Sequence, residues 1–143
     1  MFDKVKKWLD EMNLKYGVNS ELKLFHIPWD VDGIKFSTLL MVTPDNKWIK
    51  AAAQILKAED VPEGLYRSLL KANWDLFDVT YSIDEKGNVY SENDISSESN
   101  YAGFRSEIAA IVFGVRYFFN TVAPKFDIAK KETFEKLDNV DYE

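Results

Sequence analysis

The sequence has no cysteine and a single histidine, His26, among its 143 residues. Disulfide bonds, thiolate metal sites and cysteine nucleophiles are therefore excluded, and a cluster of histidine ligands cannot form. His26 comes shortly before Pro28 in a short predicted strand, so we expect it at the surface or at a sheet edge.

Long apolar runs and an excess of positive charge are also missing. The most apolar stretch carries Arg105, Glu107 and Arg116, so it does not match a bilayer span. The charged amino-terminal helix lacks the apolar centre of a signal peptide. A net charge of −6 argues against a nucleic-acid partner, which needs a basic stripe. We predict a cytoplasmic protein with neither a membrane nor a nucleic-acid partner.

Motifs for catalysis and cofactor binding are absent as well. There is no glycine-rich phosphate loop and no Gly-x-Ser-x-Gly elbow. The segment Asp30-Val31-Asp32-Gly33 begins like a calcium loop but lacks its later ligands. Two further acidic pairs are Glu59–Asp60 and Asp84–Glu85. The preference of acidic residues for turns and helix starts explains all three pairs better than a role in acid–base catalysis does. We predict no catalytic residue, no metal site and no cofactor.

What the sequence does contain is one strongly apolar helical segment, residues 99–122. Gly103 and Gly114 line up beside its apolar stripe. Because glycine costs about 1 kcal/mol in a helix interior, we expect another backbone to pass close to this line. Pro124 is predicted to end the helix. The stripe recurs at steps of three and four and is broad enough to lie on a sheet: Phe104, Ile108, Ile111, Val112, Val115, Phe118, Phe119 and Val122.

Two helices and five strands are predicted before this segment. The helices cover residues 2–16 and about 60–73, and alternating apolar residues predict the strands. Residues 48–57 are ambiguous because their alanines favour a helix while their pattern alternates; the tight turn before them favours a strand. Residues 93–100 are predicted to be a polar loop. The five predicted strands cover residues 21–27, 34–43, 48–57, 76–83 and 89–92.

The predicted order is helix, three strands, helix, two strands, helix. This order indicates an α+β fold, an antiparallel sheet with helices packed on its apolar face. Residues 1–124 form a single predicted domain. Residues 125–143 are predicted to be an extension with a short helix at about 127–137 and a frayed acidic end.

This element order, in an acidic chain of this length, resembles the type III secretion chaperone-like fold, which includes the YbjN-like family. The likeness rests on the first helix, the hairpin around Asp84-Glu85-Lys86-Gly87-Asn88 and the closing apolar helix, and extends to about Pro124. It implies a non-enzymatic domain, often a homodimer, that holds extended segments of a partner protein against apolar patches. For the YbjN-like members it implies a regulator.

Three residues are candidates for contact with such a partner. Leu39 and Met41 lie on the less covered face of strand 34–43, and Trp48 opens the next strand. Exposed large apolar side chains are the usual anchors of interfaces. Trp29, in a predicted turn, is a further exposed aromatic; the alternative is that both tryptophans fold back over the core edge. We predict that Leu39, Met41 and Trp48 contact a protein or peptide partner, and that the chain is a homodimer.

Two other functions compete with this hypothesis. One is a small-molecule-binding protein or a carboxylate-dependent enzyme, with Asp78 and Glu107 in a pocket between the sheet and the helices. The other is a structural subunit of a larger assembly, which would depend on a co-purifying partner.

Overall fold

The computed structural model describes residues 1–130 and 141–142, which form helices α1–α3 and strands β1–β7. Two turns follow α3, a π-helical one at Phe118–Val122 and a 3₁₀ one at Ala123–Phe126. The elements are α1 (Phe2–Glu11), β1 (Gly17–Asn19), β2 (Leu24–Val31), β3 (Ile34–Val42), β4 (Trp48–Leu56), α2 (Leu65–Asp75), β5 (Tyr81–Ile83), β6 (Val89–Ser96), α3 (Tyr101–Tyr117) and β7 (Asp141–Tyr142).

The strands form one antiparallel sheet in the order β5-β6-β4-β3-β2-β1-β7. The α+β class predicted from the sequence is therefore confirmed, and β1 and β7 extend the sheet beyond the predicted strands. Residues 48–56 are a strand despite their alanines. Antiparallel pairing with β3 and β6 on both sides supplies hydrogen bonds along the strand that outweigh the local helix propensity.

The core lies between one face of the sheet and helices α1 and α3. Trp8 of α1 packs on Phe104 of α3 with ring centroids 4.9 Å apart. Strand β3 shows most clearly that one face of the sheet is buried and the other is not, because alternate residues of a strand point to opposite faces. Five of its side chains are buried toward the helices, at every second position: Ile34, Phe36, Thr38, Leu40 and Val42.

Helix α3 lies unusually close to strand β6. A Cβ atom on Gly114 would meet Ser91 Oγ and would lie 3.3 Å from Ser91 Cβ. The close approach expected beside the glycine line therefore occurs at Gly114. Tyr81 Oη donates to the Gly114 carbonyl oxygen at 2.6 Å, and Ser91 Oγ donates to the Ile111 carbonyl oxygen at 3.1 Å. These bonds attach the helix backbone directly to the sheet.

Several predicted boundaries are wrong. Strand β2 continues through Pro28 to Val31, and β6 extends through residues assigned to a polar loop. Conversely, Phe77 lies outside any strand, since α2 runs to Asp75 and β5 begins only at Tyr81. Pairing between strands, which one segment's pattern does not reveal, decides these ends. The helix predicted at 127–137 lies mainly outside the described residues, and residues 127–130 are not helical.

Replacing Gly114 by alanine should destabilise the fold by about 1–3 kcal/mol, because the added methyl group would push α3 away from Ser91. Urea unfolding followed by circular dichroism measures the change. Gly103→Ala is the matched control, since its new Cβ would meet only the Asn100 and Ser99 side chains, at 3.3 and 3.8 Å. Equal effects of the two substitutions would contradict the close approach at Gly114.

Candidate functional site

The sheet face turned away from α1 and α3, which we call the open face, carries the three residues predicted to bind a partner. Leu39 and Met41 follow each other on this side of β3, and Met41 stands opposite Lys50. Trp48 precedes Lys50 by two residues and therefore shares its face. The exposed fractions of Leu39, Met41 and Trp48 are 36%, 42% and 47%. The structure thus places the three side chains on one face of the sheet, and we call them the apolar triad.

A row of charged side chains borders the triad. Lys50 Nζ lies 3.4 Å from Glu92 Oε2 and 3.6 Å from Asp94 Oδ1 on the neighbouring strand. Partial burial would lower the pKa of Lys50, but the two carboxylates outweigh it and the pKa is raised. Exposed pairs of this kind contribute about 0–1 kcal/mol to stability. They place a charge cluster beside the apolar triad in which two carboxylates face one lysine, so the cluster is negative overall.

His26 stands opposite Leu39 in the register of β2 and β3, and it is fully buried. The expectation of a surface or edge position is therefore wrong. Strand β2 lies inside the sheet, between β1 and β3, because the short strand β1 pairs with it. That strand carries little apolar periodicity and was not predicted. Burial lowers the pKa of His26 below its ordinary value of 6.5.

A second apolar surface, which we call the outer patch, lies at the β5 end of the sheet. It comprises exposed residues of α2, of the segment after it and of β5: Tyr66, Leu70, Trp74, Phe77 and Ile83. Trp74 and Phe77 have exposed fractions of 88% and 96%. A shallow groove of about 140 Å³ runs between α2 and β5 beside Leu70 and Ile83. Sequence reasoning missed this patch because it assigned Phe77 to the strand predicted at residues 76–83.

Asn73 closes the sheet edge beneath the outer patch. Its Oδ1 accepts from the Tyr81 backbone N–H at 2.7 Å, and its Nδ2 donates to the Tyr81 carbonyl oxygen at 3.0 Å. The side-chain amide thus takes the place of a neighbouring strand at Tyr81. A capped edge resists pairing with another chain. Contacts with another chain at this end of the sheet would therefore be made mainly by side chains.

The carboxylates proposed for catalysis do approach each other. Burial raises the pKa of Glu107, and the nearby charge of Asp78 raises it further. Within residues 1–130 and 141–142, no three acidic or histidine side chains lie where they would hold a metal ion. The pair therefore offers two carboxylates without a third ligand from the described part.

The two tryptophans considered as interface anchors differ. Trp29 folds back over the core: its Nε1 donates to Thr38 Oγ1 at 3.0 Å, and its ring stacks on Phe36 at 6.3 Å between centroids. Trp48 lies on the open face with nearly half of its surface exposed. The folded-back position considered from the sequence therefore applies to Trp29 and the exposed position to Trp48, whose contact with a partner stays a prediction.

Comparison with known proteins shows the fold. Neither a family model nor a curated protein sequence matches this chain. A chain of the ExsC–ExsE complex matches with a TM-score of 0.63 and 19% identity, over 82% of this chain and 92% of that one. A chain of the HopA1–SchA chaperone–effector complex matches with a TM-score of 0.58 and 14% identity, over 80% and 88%.

A third match is in the complex of the Yersinia pestis type III secretion chaperone SycH with a fragment of YscM2. The TM-score is 0.56 with 14% identity, over 81% of this chain and 98% of that one. The chaperone-like fold suggested by the element order is thus confirmed. No helix in the described part of the chain has the length and apolarity needed to cross a membrane.

Acidification through about pH 6.5 should destabilise the protein through His26. The pKa of His26 is lowered in the folded state, so the unfolded chain binds the proton more readily, and stability falls as pH drops below the unfolded pKa. Thermal unfolding at a series of pH values should show a slope in the wild type that His26→Gln flattens. The raised pKa of Glu107 has the opposite effect, since it makes the folded state more stable as the pH falls. This effect is the same in the wild type and in His26→Gln. Parallel curves for the two proteins would refute the assignment to His26.

Proposed function

We propose that this chain is a non-enzymatic protein-binding domain, chaperone-like or regulatory, that holds a segment of a partner protein on the open face. The apolar triad of Leu39, Met41 and Trp48 is the observation that carries the proposal. The solved chains with the same fold come from complexes with protein partners, which supports a protein as the ligand. Apolar side chains supply no general acid, base or nucleophile, so the proposal contains no catalytic step.

The geometry of the triad favours an extended segment over a folded one. Leu39 and Met41 are two residues apart on one strand, about 7 Å, which is the spacing of alternate side chains in any extended chain. A partner segment lying along the open face would therefore present every second side chain to the triad. Large apolar anchors of this kind carry most of the energy of an interface.

We further propose that the protein forms a homodimer through the outer patch. Leu70, Trp74 and Phe77 expose enough apolar surface together to favour burial against a copy of themselves. A two-fold axis would place the same patch on both sides of the contact. Since Asn73 caps the edge of β5, this contact would be made by side chains rather than by a continuous sheet. Membership of the YbjN-like family and a cytoplasmic location stay predictions.

Weakened peptide binding is expected when the triad loses its apolar character. An array of random peptides of about 12 residues should be enriched for apolar residues at every second position. The double variant Met41→Gln and Trp48→Gln should bind the selected peptides roughly tenfold more weakly, as measured by fluorescence anisotropy. Leu22→Gln is the matched control, because Leu22 is a similarly exposed apolar residue outside the triad. Unchanged affinity of the double variant for these peptides would contradict the proposed binding site.

The homodimer is tested by light scattering across a dilution series. The wild type should keep the mass of a dimer at concentrations where the double variant Leu70→Gln and Trp74→Ser has become a monomer, because the variant removes apolar area from the contact. Leu22→Gln again serves as the control. A wild-type monomer at every concentration, or a variant that remains a dimer, would rule out this interface.

A further inference from the structure

A third concave surface lies on the helical side of the molecule, away from the open face and the outer patch. It is a groove of about 460 Å³ along α3, bounded by Met12 at the end of α1 and by Trp29 of β2. Val112 and the exposed ring of Phe113 contribute to its apolar lining. Arg105 and Arg116 also line it, and we call it the arginine groove.

The two arginines stand at opposite ends of the groove because of the helical repeat. They are separated by 11 residues, which is close to three full turns, so they lie on the same side of α3 about 16 Å apart. The apolar residues occupy the turns between them. On the open face, by contrast, the one cation, Lys50, is paired with two carboxylates.

The arginines differ in how far their charges are already satisfied. Arg116 Nε lies 2.9 Å from Asp32 Oδ2 in the β2–β3 turn. Arg105 is exposed. The ion pairs found within the described residues do not include it. In a chain with a net charge of −6, Arg105 is therefore a cation still available to an incoming anion.

We propose that the arginine groove binds a protein segment in which a carboxylate side chain lies beside one or more large apolar side chains. The apolar group would pack against Trp29 and Phe113, and the carboxylate would form a charge-assisted, bidentate pair with the Arg105 guanidinium. This site goes beyond the proposed open-face function and does not depend on it.

Other anionic ligands fit the groove less well than an acidic protein segment. Polyanions such as nucleic acids need many cations along the contact, and the acidic net charge of this chain repels them. Two arginines around an apolar floor instead suit a ligand with one or two charges and a sizeable apolar part. The groove has the volume for a few side chains of a peptide.

The experiment uses a random array of acetylated and amidated peptides of about 12 residues, probed with the full chain. Peptides that bind through the groove should be enriched in aspartate or glutamate next to leucine, phenylalanine or tryptophan. The variant Arg105→Glu should bind these peptides roughly tenfold more weakly and should instead select peptides with lysine or arginine at the acidic position. Added salt should weaken binding by the wild type.

Arg67→Glu is the matched control, because it introduces the same charge change at another exposed arginine, on α2. Thermal unfolding should show that both variants are folded. A further variant, Phe113→Ser, removes the apolar contact without altering charge and should weaken the same peptides.

The proposals for the arginine groove and for the open face can be contradicted independently of each other. Peptides lost in Arg105→Glu and Phe113→Ser, and retained when Met41 and Trp48 are replaced, support the arginine groove whatever happens to the open-face proposal. If every selected peptide shows the opposite pattern, the open-face proposal stands and the groove is overturned. Absence of acidic peptides among those selected by the wild type, or equal losses of these peptides in Arg67→Glu, would likewise overturn it.

Discussion

The close packing of α3 on the sheet is the constraint on which the rest of the structure depends. At Gly114 the helix comes so near to β6 that Ser91 occupies the space where a Cβ would lie. Tyr81 Oη and Ser91 Oγ then reach carbonyl oxygens of the helix itself. A buried donor or acceptor without a hydrogen bond costs free energy. These two hydrogen bonds therefore fix both the distance of α3 from the sheet and its rotation about its own axis.

That placement of α3 commits one face of the sheet to the core. On the other face β3 and β4 carry exposed side chains, whereas His26 of β2 is buried there. Ala51 and Ala53 of β4 are buried on the helix side, where small side chains permit a close approach. Since successive side chains of a strand point to opposite faces, every second residue of β3 and β4 lies on the opposite side of the sheet. Leu39, Met41 and Trp48 are displayed, although polar residues would be the ordinary choice for a solvated face.

The molecule presents three surfaces of different chemistry, and their differences follow from what surrounds each apolar group. The open face has an apolar triad beside a charge cluster in which two carboxylates face one lysine, and the outer patch is apolar around a capped sheet edge. The arginine groove combines an apolar floor with a cation, Arg105.

The sequence by itself determined the α+β class, the apolar face of α3 and the position of the triad, because all three depend on periodicity within single elements. Tertiary structure alone decided the burial of His26, the length of β6 and the exposure of Phe77, because each depends on which other parts of the chain lie beside or over the residue. It also decided the arginine groove, whose residues come from α1, β2 and α3 and meet only after the helices pack. Local patterns record which side of an element is apolar, whereas neighbours along the sheet and across the core determine what finally covers it.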